Sequence, residues 1–122
     1  MQTAEDREDD GLFGLAGRRV LLVEDNLQCA CAVRAWLEIC GATVRTAHSI
    51  GQALRRMREE APDLVLVDLR LPDGSGWELL DRARTSVPGA ACIPVVAIAG
   101  IDRAATAGMA RAHGVRHVLI KP

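Results

Sequence analysis

The chain has 122 residues, a length suited to one domain, with 49% apolar residues, 25% charged residues and a formal net charge of −1. That balance argues against a general binder of nucleic acid or anionic membranes. The scarcity of aromatics, Phe13, Trp36 and Trp77 with no Tyr, argues against a stacking platform for single strands. No apolar run approaches membrane-spanning length and no basic-then-apolar leader opens the chain, so the expectation is a soluble, cytoplasmic domain.

Residues 1–17 read as an acidic, flexible leader. The run Glu5-Asp-Arg-Glu-Asp-Asp10 repels itself and stays solvated. Gly11, Gly14 and Gly17 keep the following stretch loose, while Leu12, Phe13 and Leu15 offer an apolar side that could dock on the domain. The domain itself is predicted over residues 18–122. Its first strand, Arg19 to Val23, ends on Glu24-Asp25-Asn26, and Asn26 is placed to cap a helix running to about Cys40. Cys29, Val33, Trp36, Leu37 and Cys40 would form one apolar stripe on that helix, and Gly41 ends it. Thr43 to Ala47 is a weaker strand, expected near an edge. Ser49 caps a second helix, Ile50 to Glu60, with Ala53, Leu54 and Met57 inward and an Arg55–Glu59 pair on the wet face.

Asp63-Leu-Val-Leu-Val-Asp68-Leu-Arg-Leu-Pro72-Asp-Gly74-Ser-Gly76 is the most informative stretch. A short apolar run bounded by turn residues reads as a strand buried on both faces. It stops abruptly on Asp68, a carboxylate that alone could equally be a turn former. A helix from about Trp77 to Arg84 follows, with Trp77 and Leu80 toward the sheet. Val95 to Ala99, entered through Pro94, is a fourth strand. Asp102 can cap a short Ala-rich helix in which Gly108 costs about 1 kcal/mol relative to Ala, and His117 to Ile120 is a fifth strand before Lys121-Pro122.

Five strands alternating with four helices predict an α/β, flavodoxin-like, doubly wound five-stranded parallel sheet of order 2-1-3-4-5. No fifth helix can be drawn before Pro122, so one flank of the sheet would expose apolar surface unless the leader, further chain, a partner or a second copy in a homodimer covers it. The four cysteines, Cys29, Cys31, Cys40 and Cys92, read as small buried hydrophobes rather than disulfides or metal ligands. Cys29 and Cys31 point about 200° apart on a helix. His48, His113 and His117 are scattered and read as structural or solvated.

With the strands aligned, one sheet edge collects Glu24, Asp25, Asp68, Ala99-Gly100 and Lys121. Clustered carboxylates repel, and a hard divalent cation such as Mg²⁺ offsets that repulsion while leaving room for waters and a phosphate. Lys121 adds a fixed positive charge suited to a phosphoryl oxygen, and Asp68 beside both can attack phosphorus. At this point the chain resembles the response-regulator receiver domain of two-component signalling. The likeness rests on Val20-Leu-Leu-Val-Glu24-Asp25-Asn26, Asp68-Leu-Arg-Leu-Pro72-Asp-Gly-Ser-Gly76, Ile93-Pro94-Val-Val-Ala-Ile98 and Lys121-Pro122.

The resemblance implies that Asp68 is the phosphoacceptor, that Asp25 binds Mg²⁺ directly and Glu24 mainly through water, that the backbone carbonyl of Arg70 completes the metal site, and that Lys121 contacts the phosphoryl group. It implies Mg²⁺-dependent self-phosphorylation with slow autodephosphorylation rather than a conventional enzyme. The phosphoryl donor would be a histidine kinase or a histidine phosphotransfer domain. The domain would belong to a hybrid sensor kinase or a larger response regulator. Two positions depart from the family pattern. Ala99 stands where a Thr or Ser is usual, and Val118 where a Tyr or Phe is usual. The expectation is therefore phosphorylation at Asp68 with a weak response of the face from Ala104 to Val118. The alternative is a pseudo-receiver that binds partners without phosphate. A phosphohydrolase of the haloacid dehalogenase type is disfavoured because Arg70 stands where its general acid would be.

Overall fold

The computed structural model describes residues 14–100 and 103–120, with the side chains of Arg103 and Ala104 excepted. The elements are β1 (Arg19–Val23), α1 (Leu27–Ile39), β2 (Thr43–Ala47), α2 (Ile50–Glu59), β3 (Leu64–Asp68), α3 (Gly76–Ser86), β4 (Val95–Ala99), α4 (Arg103–Ala112) and β5 (His117–Ile120). All five strands are parallel, in the order β2-β1-β3-β4-β5. This is the doubly wound sheet that the alternation of strand and helix predicts.

The register explains where the chemistry falls. Val23 lies opposite Val67, Asp68 opposite Ile98, and Ala99 opposite Ile120. The next pair along from Val23 and Val67 is Glu24 and Asp68, so two carboxylates meet at neighbouring strand tips. The strands alternate between two cores. Leu21, Val23, Val65 and Val67 pack against Ile50, Ala53, Leu54 and Met57 of α2 and Leu79 and Ala83 of α3. Val20, Leu22, Leu66 and Ile98 pack against Ala30 and Leu37 of α1. Fully buried aliphatics such as Leu22 and Leu79 contribute roughly 1.5–3 kcal/mol each, and they hold the strand tips rigid.

Helix caps follow their sequence signals. Asn26 accepts from the Cys29 amide at 2.9 Å, and Ser49 accepts from the Gln52 amide at 3.1 Å. Gly41, at φ +94°, closes α1; a Cβ there would lie 2.9 Å from the Ala16 Cα. That contact marks a difference from the expected loose leader. Residues 14–17 are docked: Gly17 N–H donates to the Gly41 carbonyl at 2.9 Å, and Leu15 packs on the α1-side core. Residues 1–13, with their acidic run, and the Asp102 cap lie outside the described residues.

Other details correct the sequence reading. On α1 the buried residues are Ala30 and Leu37, with Cys40 just beyond them, whereas Trp36 is 50% exposed and Cys29 half-buried. The helix leans toward β1 and β2, leaving Cys29, Val33 and Trp36 beside an apolar recess shared with Leu66, Ile98 and Leu119. Among the described residues, α1 is the helix packed on this face, so the flank over β4 and β5 is open there. Of the cysteines only Cys40 is buried; Cys31 and Cys92 are exposed and all four are free. Glu59 pairs with Arg45 of the edge strand at 2.9 Å rather than with Arg55, because the strand side chain reaches across to the helix end. α3 is longer than expected at both ends. An antiparallel ribbon of Arg70–Leu71 with Gly74–Ser75 precedes it, and a 3₁₀ turn, Ala90–Cys92, follows it.

Candidate functional site

Glu24, Asp25 and Asp68 each place a carboxylate oxygen within 4.8 Å of the others. Glu24 is 2% exposed and Asp68 4%, while Asp25 faces solvent. Two buried carboxylates this close interact unfavourably by roughly 3–4 kcal/mol at an effective dielectric near 20. Main-chain donors offset part of that cost. The Asn26 amide donates to Glu24 Oε1 at 3.2 Å, and the Arg70 amide donates to Asp68 Oδ1 at 2.8 Å. An all-oxygen donor set with two buried members and one wet one fits a hard divalent cation that keeps some of its waters. These residues therefore can hold a metal.

The loop after Asp68 is tied down on both sides. Gly76 N–H donates to the Leu69 carbonyl at 3.1 Å. A Cβ on Gly76 would come 2.8 Å from the Asp68 carbonyl oxygen and 3.1 Å from Leu69 Cδ2 and Val67 Cγ2. Only glycine lets α3 begin this close to the strand end. Across the loop, Asp73 accepts from the amides of Ile50 at 2.8 Å and Gly51 at 3.1 Å, at the start of α2. The Ile50 amide first, then burial in the opposite sense and the Gly51 amide, leave the Asp73 carboxyl below its ordinary pKa.

His48 is structural, as expected, but its partner is not signalled by the sequence: its Nδ1 lies 2.9 Å from the Glu24 carbonyl, to which Nδ1–H donates. Its own amide donates to Gln52 Oε1 at 2.7 Å. The turn after β2 thus braces the main chain of the β1 tip. No spacing rule signals this contact, because parallel pairing of β1 with β2 brings the residues together from 24 positions apart.

The structure brings Glu24, Asp25 and Asp68 into one pocket, with Arg70 at its edge through its amide. Ala99, 3% exposed, ends β4 next to the Asp68 strand, and Val118 is half-buried in β5. Neither carries a hydroxyl or a ring. Lys121, the predicted phosphoryl contact, lies outside the described residues.

An open parallel α/β sheet with an acidic pocket at the carboxyl end of its first and third strands defines a class of signalling domain. The chain belongs to it: the model of the response regulator receiver domain matches residues 20–122. The luminescence regulatory protein LuxO of Vibrio campbellii is 35% identical over 101 residues, 83% of this chain and 22% of that protein. The alginate biosynthesis transcriptional regulatory protein AlgB of Pseudomonas syringae pv. tomato is 35% identical over 104 residues, 85% of this chain and 22% of that protein. The crystal structure of a CheY-like receiver domain protein from Methanospirillum hungatei superposes with a TM-score of 0.76 at 27% identity, covering 88% of this chain and 83% of that one. The chain thus spans about a fifth of the length of the curated relatives it matches. Among the described residues no helix is long and apolar enough to cross a membrane.

Proposed function

We propose that this receiver domain is a phosphoacceptor, taking a phosphoryl group onto Asp68 from a phosphohistidine of a histidine kinase or a phosphotransfer domain. The observation that carries this reading is the convergence of Glu24, Asp25 and Asp68 within 4.8 Å at a rigid sheet edge. An Asp68 oxygen attacks phosphorus; an O–P bond forms as the N–P bond of the phosphohistidine breaks, and the departing imidazole takes a proton from solvent. The Arg70 amide on Oδ1 fixes the carboxylate's orientation, which lowers the entropic cost of attack. Glu24, Asp25, Asp68 and the Arg70 main-chain carbonyl would hold Mg²⁺. When bound, the ion supplies charge neutralisation and orients the phosphoryl oxygens. Lys121 would contact the transferred group. In this reading the protein is cytoplasmic, and the domain is one module of a hybrid sensor kinase or a larger response regulator.

Ala99 and Val118 favour a second reading, a pseudo-receiver that docks partners without phosphate. Incubation with Mg²⁺ and acetyl phosphate, followed by intact mass spectrometry, separates the two. The phosphoacceptor reading predicts one alkali-labile phosphoryl adduct that is lost in Asp68→Asn and on chelation of Mg²⁺. A chain that stays unmodified and shows no Mg²⁺ affinity is a pseudo-receiver.

A further inference from the structure

One histidine at the end of α4 is gripped by three residues of α3. Trp77, Asp81 and Arg84 stand at i, i+4 and i+7 and so share one helix face. The Trp77 ring stacks on the His113 imidazole with centroids 5.1 Å apart and planes 16° from parallel. His113 Nδ1 lies 3.0 Å from Asp81 Oδ1. A carboxylate only accepts, so Nδ1 carries the proton, and the polarised imidazole presents an electron-poor face to the indole. The Arg84 guanidinium donates to the His113 carbonyl, where it complements the negative end of the α4 dipole. Gly114 follows at φ +72° and turns the chain into β5.

The grip has consequences because of what lies at either end of it. α3 starts at Gly76, pressed against the Asp68 main chain, and Trp77 is the next residue. At the other end, Ala110 and Val115 flank His113 and are both buried against Leu80 and Ala97. Ala99 and Val118 offer neither a hydroxyl nor a ring through which β4 and β5 could reposition α4. We propose that His113 is a clamp that fixes the carboxyl end of α4 to α3, holding the α4–β5 face in one arrangement set by α3. The clamp does not depend on phosphorylation, so it stands or falls separately from the chemistry at Asp68.

The test is amide hydrogen exchange on the unphosphorylated protein, comparing wild type with His113→Ala and Asp81→Asn. Losing the stack and the charge-assisted bond together should speed exchange in residues 105–116 by roughly tenfold, while β1, β3 and α2 keep their rates. Asp81→Asn should give the same pattern with a smaller amplitude. Unchanged exchange of α4 in both variants would overturn the clamp, and so would a uniform rise across the sheet, which would mean general destabilisation.

Discussion

The two halves of the carboxyl edge differ in kind. At β1 and β3 the side chains are charged, buried and braced. Glu24 and Asp68 are held by main-chain amides, His48 supports the β1 tip, and Gly76 and Asp73 fix the loop behind Asp68. At the ends of β4 and β5 the described residues, Ala99, Gly100 and Ile120, carry no charge. Ala99 and Val118 fill space, Leu119 is 54% exposed, and α4 is positioned from α3 through His113. The first half holds the three clustered carboxylates. In the second, Ala99 and Val118 offer neither a hydroxyl nor a ring. In the proposed reading, accepting a phosphoryl group and relaying its arrival rest on different side chains.

Breaking the first half should have the largest effect. Asp25→Asn removes the solvent-facing carboxylate of the pocket, and Mg²⁺ affinity should fall by at least about tenfold, the scale of one lost charge-assisted ligand. Titration calorimetry checks this. Unchanged affinity would mean that the cation, if bound, is held elsewhere. Building up the second half should have the next largest effect. Ala99→Thr restores a hydroxyl beside Asp68, and a hydrogen bond to a charged group contributes about 1.5–3 kcal/mol. Beryllofluoride, a mimic of the acyl phosphate, should bind roughly tenfold more tightly. The amide shifts of residues 105–118 should grow relative to wild type, in which they stay small beside those around Asp68. Wild-type shifts in that segment as large as those around Asp68 would show that relay does not need the hydroxyl.

The smallest effect concerns the loop behind Asp68. The Ile50 and Gly51 amides hold the Asp73 carboxyl below its ordinary pKa. Its contribution is therefore present above the unfolded value near pH ~3.9 and is lost as pH falls through the folded value. Asp73→Ala should lower stability at neutral pH by about 1 kcal/mol, the size of a lost helix cap. Urea melts should show that difference shrinking as the pH drops into the carboxylate range. A difference that does not vary with pH would mean that the charge plays no part.

The sequence disclosed the first half far better than the second. Short apolar runs bounded by turn residues and alternating with helical patterns read as buried parallel strands, and parallel register then brings Glu24 level with Asp68. The caps at Asn26 and Ser49 were equally legible, since each is decided within four residues. α1 was harder. Its apolar residues spread over more than one stripe, and only packing decides that Ala30 is buried while Trp36 stands half in solvent. The docking of Leu15 and the brace from His48 depend on contacts between segments distant in sequence. The His113 clamp was invisible for the same reason. Trp77, Asp81 and Arg84 share a helix face by simple periodicity, but nothing in their spacing says what that face meets.

Nucleophilic attack by Asp68 is tested most directly by borohydride trapping. Borohydride reduces an acyl phosphate to an alcohol, so protein treated with Mg²⁺ and acetyl phosphate, reduced and then mapped by peptide sequencing, should carry homoserine in place of Asp68 and at no other carboxylate. Recovery of Asp68 unchanged, or homoserine spread over Glu24, Asp25 and surface acids alike, would contradict the assignment.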